Sequence, residues 1–209
     1  MDLRSLENLL AMLFFSLTII LVFSFALPID EKSKKSLAPG IFWVTFLLAG
    51  VLSLNKSFQI EKDDDCIESL LLAPVGRGTI FLGKMGWNIL FILIIQIIVV
   101  PVFSILFYAP FFEHFFALIL LSFLTSVGFS SLGTLLSGLT TDLRFREILL
   151  PILLFPLLVP LLLASVKITQ TIVSGGDIWE AADWLKLLIG FDSIFLIVSY
   201  LTFDFVMEL

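Results

Sequence analysis

The chain has 209 residues, of which 59% are hydrophobic and 14% charged, and its net charge is −6. A water-soluble domain of this length cannot hide so much apolar side chain, and a nucleic-acid binder would show a basic face. The single cysteine, Cys66, excludes an intrachain disulfide framework.

Crossing a hydrocarbon core of about 30 Å takes about 20 apolar residues as helix. The first such stretch is Leu9–Leu27, which carries no charge. Ser24-Phe25-Ala26 resembles a signal cleavage site, but a signal core is only about 7 to 15 residues long, so this run reads as a retained span. The second span is Leu37–Leu54.

A polar island follows, from Lys56 to Gly78. Within it, Asp65 can cap a short helix whose Ile67, Leu70 and Leu71 share one side, with Pro74 closing the segment. Asp63 and Asp64 sit favourably at the positive end of that helix. An amphipathic helix held just outside a membrane needs a cover for its apolar side, either lipid or a soluble partner. Acidic residues beside it argue against simple adsorption to anionic lipid, which attracts basic segments.

The third span is Ile80–Tyr108, with Gln96 midway and expected to bond a neighbouring helix. The fourth, Phe115–Leu139, carries Ser122, Ser126, Ser130, Thr134 and Gly138 at intervals of four, with Gly128 and Gly133 beside them. Small residues at this spacing let helix backbones approach closely. They serve packing within the monomer, or line a pathway or a dimer contact. The fifth span, Ile148–Val166, holds Pro151, Pro156 and Pro160. Each removes a backbone donor, so a straight helix is not expected there. The alternatives are a broken helix at a moving or binding element and a fixed kink that only shapes the bundle.

Residues 177–188 read as a short amphipathic helix carrying Trp179 and Trp184 at the membrane surface. In the sixth span, Ile189–Val206, the preferred reading makes Asp192 an N-terminal cap at the interface. The other reading is an intramembrane carboxyl group, functional by default because its burial is costly.

The expected fold is therefore all-α: a polytopic membrane protein of six transmembrane helices, forming one transmembrane domain over residues 1–209. Both termini fall on one side. Arg4, Lys56, Lys62, Arg77, Lys84, Arg144 and Arg146 share that side, against Lys32, Lys34, Lys35, Lys167 and Lys186 on the other, which favours cytoplasmic termini. Trp43, Tyr108, Trp179 and Trp184 fall near the outer boundary, and Trp87 near the inner one, as an aromatic belt would.

Two apparent motifs carry no chemistry. Gly78 to Lys84 has phosphate-loop spacing, but Met85 stands where a magnesium-holding Ser or Thr belongs and no strand precedes it. The chain itself is not expected to bind ATP. His114, the one histidine, lies beside Glu113 in a short loop; imidazole can ligate haem iron, but an ordinary loop residue is the simpler reading. No catalytic triad and no metal-ligand spacing can be assembled.

Several segments taken together resemble one family. They are Ala38-Pro39-Gly40-Ile41-Phe42-Trp43, Glu68-Ser69-Leu70-Leu71-Leu72-Ala73-Pro74, and Gly83-Lys84 opening the third span. Gly128 with Leu132-Gly133-Thr134, Arg146-Glu147-Ile148-Leu149-Leu150-Pro151, and Phe191-Asp192 complete the set. Nearly the whole chain resembles the CcmB family, the haem exporter permease subunit of cytochrome c maturation.

The resemblance implies a non-catalytic permease of ABC exporter (ABC-2-like) fold in the bacterial inner membrane. A separate cytosolic ABC ATPase would bind and hydrolyse ATP. Haem-handling membrane subunits and a periplasmic haem chaperone would be partners, with haem a transported or handled ligand. A homodimer within a larger complex is expected, with no nucleic acid.

On the same resemblance, Ile67–Pro74 is the coupling helix. Ile67, Leu70 and Leu71 would sit in a groove of the ATPase, Asp65 and Pro74 would bound the helix, and Glu61 and Glu68 would meet basic residues. Arg144, Arg146 and Glu147 form a second expected contact, or simply set the topology. Only Met1 to Asn8 precede the first span, where the family usually carries a longer segment. Rival readings are an exporter of lipid, polysaccharide or another small molecule, and a passive scaffold for haem-handling subunits.

Overall fold

A computed structural model describes residues 3–27, 30–63, 76–140, 143 and 145–206; side chains are described from residue 6 on, excepting 56–63, 146 and 147. Lipid offers no hydrogen bonds, so a spanning segment must satisfy its backbone internally, and the helix does so within a single run. Six long helices result: α1 (Leu3–Ala26), α2 (Glu31–Asp63), α3 (Arg77–Phe107), α4 (Phe115–Thr140), α5 (Arg146–Val173) and α6 (Ala182–Val206). All six are long and apolar enough to cross a membrane. The expected spans are each recovered; α2 runs on past Leu54 to Asp63, into the polar island, and the other ends lie within two turns of those expected.

At the start of α2, the Asp30 carboxylate accepts hydrogen bonds from the Ser33 hydroxyl (2.9 Å) and the Ser33 N–H (3.1 Å). These bonds, the hydroxyl first, hold its carboxyl below the usual carboxylate range. At the end of α5, Gly175 adopts φ +84°, the left-handed region that favours glycine. Its N–H bonds the Ile172 carbonyl and the Gly176 N–H bonds the Thr171 carbonyl, both at 3.0 Å. That pair of bonds is the Schellman arrangement, and it turns the chain sharply toward α6.

Three expectations are corrected here. The predicted surface helix over 177–188 is not separate: a 3-10 turn, Ile178–Ala181, runs directly into α6. The three prolines do not break α5, which is continuous from Arg146 to Val173. Opening the backbone of a lipid-exposed helix costs several kcal/mol per unsatisfied group, so it stays closed around a missing donor. Pro156 and Pro160 are exposed, while Leu150, Leu154, Leu158 and Leu161 form the buried side of α5.

Trp43, placed in the aromatic belt by its position, is instead a core residue, 2% exposed. Its indole N–H donates to the Thr169 hydroxyl at 2.8 Å, tying α2 to α5. The polar tip thus finds a protein partner rather than the membrane surface. Around it, Phe42 packs edge-on against Trp43, Phe103 and Phe111, and Phe103 stacks on Phe107 at 4.4 Å.

The helices alternate in direction, so α4 and α6 run parallel. α4 packs against α2, α3, α5 and α6, whereas α1 lies outside it, along α2 and α3.

Replacing Gly175 by alanine should cost about 1 kcal/mol, because its left-handed backbone conformation penalises a Cβ. Gly190→Ala, inside α6 with open space around its Cα, should be neutral or stabilising by up to about 1 kcal/mol. Thermal unfolding in detergent, followed by tryptophan fluorescence, compares the two.

Candidate functional site

The small residues of α4 form one buried polar seam at the centre of the bundle. Ser122, Ser126, Ser130 and Thr134 are each 5% exposed or less. Their burial within the protomer agrees with the packing reading of their spacing. Gly128 and Gly133 exist for clearance. A Cβ on Gly128 would collide with the Asp192 carboxylate of α6 and with Leu161 of α5, and one on Gly133 would collide with Leu54 of α2. From the other side, a Cβ on Gly50 of α2 would lie 2.6 Å from the Phe129 ring. These close approaches bring α2, α5 and α6 onto α4.

Asp192 is also a correction. It lies well inside α6, 7% exposed, rather than capping it at the interface. The apolar run extends further toward the N-terminus than expected, because Leu185, Leu187 and Leu188 already belong to the helix. The Asp192 Oδ1 has no hydrogen-bond partner among the described residues. A carboxyl group in that position is costly and stays out of lipid only by facing the bundle interior.

The seam continues as hydrogen bonds between helices. Thr125 of α4 and Ser165 of α5 pair through their hydroxyls at 2.7 Å, and Asn88 Nδ2 of α3 donates to the Thr134 hydroxyl at 3.4 Å. Near the end of α2, Asn8 Nδ2 of α1 donates to Ser53 Oγ at 3.0 Å. Gln96 departs from expectation. It is 3% exposed, but its Oε1 makes no interhelical bond; with Ser126 Oγ, also unpartnered, it borders a cavity of about 20 Å³. By volume that cavity suits about one water molecule.

These polar partners escaped the sequence reading, apart from Gln96 and the seam. Their only signal was a lone Asn, Ser or Thr in an apolar run, which does not say what it faces.

The sequence-predicted coupling residues mostly lie elsewhere. Asp65, Ile67, Glu68, Leu70, Leu71, Pro74 and Arg144 lie outside the described residues, as do the side chains of Glu61, Arg146 and Glu147. Glu61 belongs to the last turn of α2, and Arg146 and Glu147 to the first turn of α5. The alternation of helices puts the end of α2 and the start of α3 at the same end of the bundle as the end of α4 and the start of α5. At that end the Arg77 guanidinium donates to the Asp204 carbonyl at 2.9 Å, and a Cβ on Gly78 would lie 2.6 Å from the Tyr200 ring. The start of α3 is thereby seated on the end of α6. Among the described residues no group of three or more His, Cys, Asp or Glu side chains could hold a metal ion. His114 sits in the turn before α4, its carbonyl accepting the Leu118 N–H.

The model of the CcmB protein family matches residues 1–208. Heme exporter protein B of Pseudomonas aeruginosa is 29% identical over 165 residues, 78% of this chain and 73% of that protein. Heme exporter protein B of Haemophilus influenzae is 28% identical, over 80% of this chain and 75% of its own length. The protein of the same name from Paracoccus denitrificans is 28% identical, over 86% and 81%. The chain belongs to the CcmB family and is a multi-pass membrane protein.

The clearance at Gly128 has a measurable consequence. Gly128→Ala should destabilise the bundle by about 1–3 kcal/mol through overpacking. In an Asp192→Ala background the colliding carboxylate is gone, so a coupling of about 1 kcal/mol or more should appear. Thermal unfolding of the wild type, both single variants and the double variant closes the cycle.

Proposed function

We propose that this chain is the membrane-spanning permease subunit of an ABC-type haem exporter serving cytochrome c maturation. The carrying observation is the CcmB family match over residues 1–208, borne on six apolar helices. The relatives named above supply the substrate class, since each is called a haem exporter protein. The subunit is non-catalytic, and a separate cytosolic ATPase binds and hydrolyses ATP. Haem is cargo or handled ligand; haem-handling membrane subunits and a periplasmic haem chaperone are partners. The chain works as a homodimer in the bacterial inner membrane, as one transmembrane domain with its termini in the cytoplasm.

In this reading the ATPase grips residues 64–75, where Ile67, Leu70 and Leu71 give an apolar side and Glu68 an acidic one. Arg144, Arg146 and Glu147 make the second contact at the same end. The segment 64–75 joins α2 to α3, and both helices bear directly on α4. Leu54 of α2 abuts Gly133, and Asn88 of α3 bonds Thr134. A push on the loop is therefore delivered to the small-residue seam. Through Gly128 and Asp192 the seam passes it to α6. Ser126, Ser130 and the continuous α5, with Pro151, Pro156 and Pro160, form the surroundings in which α4 shifts.

The test is Glu68→Lys combined with Leu71→Asp, which should release the co-purifying ATPase or abolish its stimulated turnover while the bundle stays folded. Undiminished association and turnover would overturn the coupling role. Haem export that survives an ATPase-dead partner would point to a scaffold instead.

A further inference from the structure

The end of the bundle opposite the coupling loops carries a depression with two lobes. The first, about 620 Å³, lies between the last turns of α5 and the turn into α6, with Lys167, Glu180 and Trp184 on its walls. The second, about 410 Å³, lies between the same stretch of α5 and the first turns of α2, with Lys32 and Lys35 on its walls. Gln170 and Ser174 border both lobes, so the two are adjacent. Each volume falls in the range of small-molecule sites, about 300–1,000 Å³.

The charges are informative. Lys32, Lys35 and Lys167 have no ion-pair or hydrogen-bond partner among the described residues, whereas Lys186 nearby is bound to Asp183 at 3.0 Å. Glu180 is the one acidic side chain lining either lobe. Here three of the chain's twelve cationic side chains converge on one depression, in a protein whose net charge is −6. They are also divided: Lys32 and Lys35, one turn apart on α2, serve one lobe, and Lys167 serves the other. Two separated cationic positions, with polar Gln170 and Ser174 between them and an indole at one wall, suit a flat apolar body bearing two acidic groups. No imidazole, thiol or thioether lines either lobe, so the site is built to read carboxylates rather than to ligate iron.

We propose that this depression binds a porphyrin dicarboxylate, with its two propionate groups on Lys32/Lys35 and on Lys167 and its ring edge against Trp184. The ligand class rests on the haem-exporter reading above. The site is then the station on the non-ATPase face where the cargo is held by its carboxylates, leaving its iron free for another protein.

The experiment uses the full chain in phosphatidylcholine nanodiscs, with empty nanodiscs as background, titrated with protoporphyrin IX, its dimethyl ester and haemin. The free acid should bind, the ester at least several-fold more weakly, and haemin within about twofold of the iron-free acid. Each of Lys32→Gln, Lys35→Gln and Lys167→Gln should weaken binding by about three- to fivefold, as expected for exposed charge pairs. The triple variant should lose roughly thirty- to a hundredfold if the effects add. High salt should weaken the acid and not the ester. All three lysines are exposed, so the variants keep the fold, which circular dichroism checks.

Equal binding of acid and ester, or an unchanged triple variant, overturns the proposal. So does a phosphatidylglycerol nanodisc that abolishes porphyrin binding, with retained anionic lipid lost from the triple variant in native mass spectrometry; the depression would then be a lipid headgroup site. Because the assay contains no ATPase, its failure leaves the coupling test above standing, and failure of that test leaves this binding intact.

Discussion

Inside a bilayer the hydrophobic effect does not drive one helix onto another, because lipid tails are as apolar as leucine side chains. Association then depends on how closely backbones can approach and how many atoms touch once they do. α4 meets that constraint by giving up side-chain bulk. Its seam of Ser, Thr and Gly residues lets α2, α3, α5 and α6 all reach it; Leu54 and Leu161 fill the spaces so created, and Phe129 of α4 fills the one at Gly50 of α2. α1, which lies along α2 and α3, turns much of its surface outward, including Phe14 and Phe25. The polar atoms of the seam add direction to the packing. Thr125 with Ser165, and Asn88 with Thr134, fix the rotation of α5 and α3 about the centre.

The transmembrane elements were readable from the chain because the signal for them is length and composition, and both are local. Leu9–Leu27 needed only its missing charges, and α4 announced its close packing by the interval of its small residues. What failed needed knowledge of a neighbour. Trp43 sits at the right height for a membrane-surface aromatic, and only Thr169, distant in sequence, draws it into the core. Asp192 looked like a cap because a carboxyl group is expensive inside a span. Gly128 gives it room inside the bundle, and nothing near Asp192 in sequence records that. Pro151, Pro156 and Pro160 suggested a break because local backbone chemistry opposes a helix there, and the surrounding apolar medium outweighs it.

The two proposed surfaces lie at opposite ends. The family resemblance points to Ile67–Pro74 as a coupling segment, and those residues lie outside the described ones. The lysine-lined depression at the other end was not legible. Lys32 and Lys35 read as topology-setting charges, and their meeting with Lys167 depends on α2 packing against the last turns of α5. Gly175 contributes by ending α5 abruptly enough to leave an opening beside Ser174.

The carboxyl group wedged against Gly128 also limits how the bundle can rearrange. Turning α6 about its own axis by a third of a revolution would swing that group from the protein interior into hydrocarbon, at a cost of a few kcal/mol. Sliding it far along α4 would drive it into bulkier side chains than glycine. α6 is thus keyed to its parallel neighbour, and moving one past the other costs that fit.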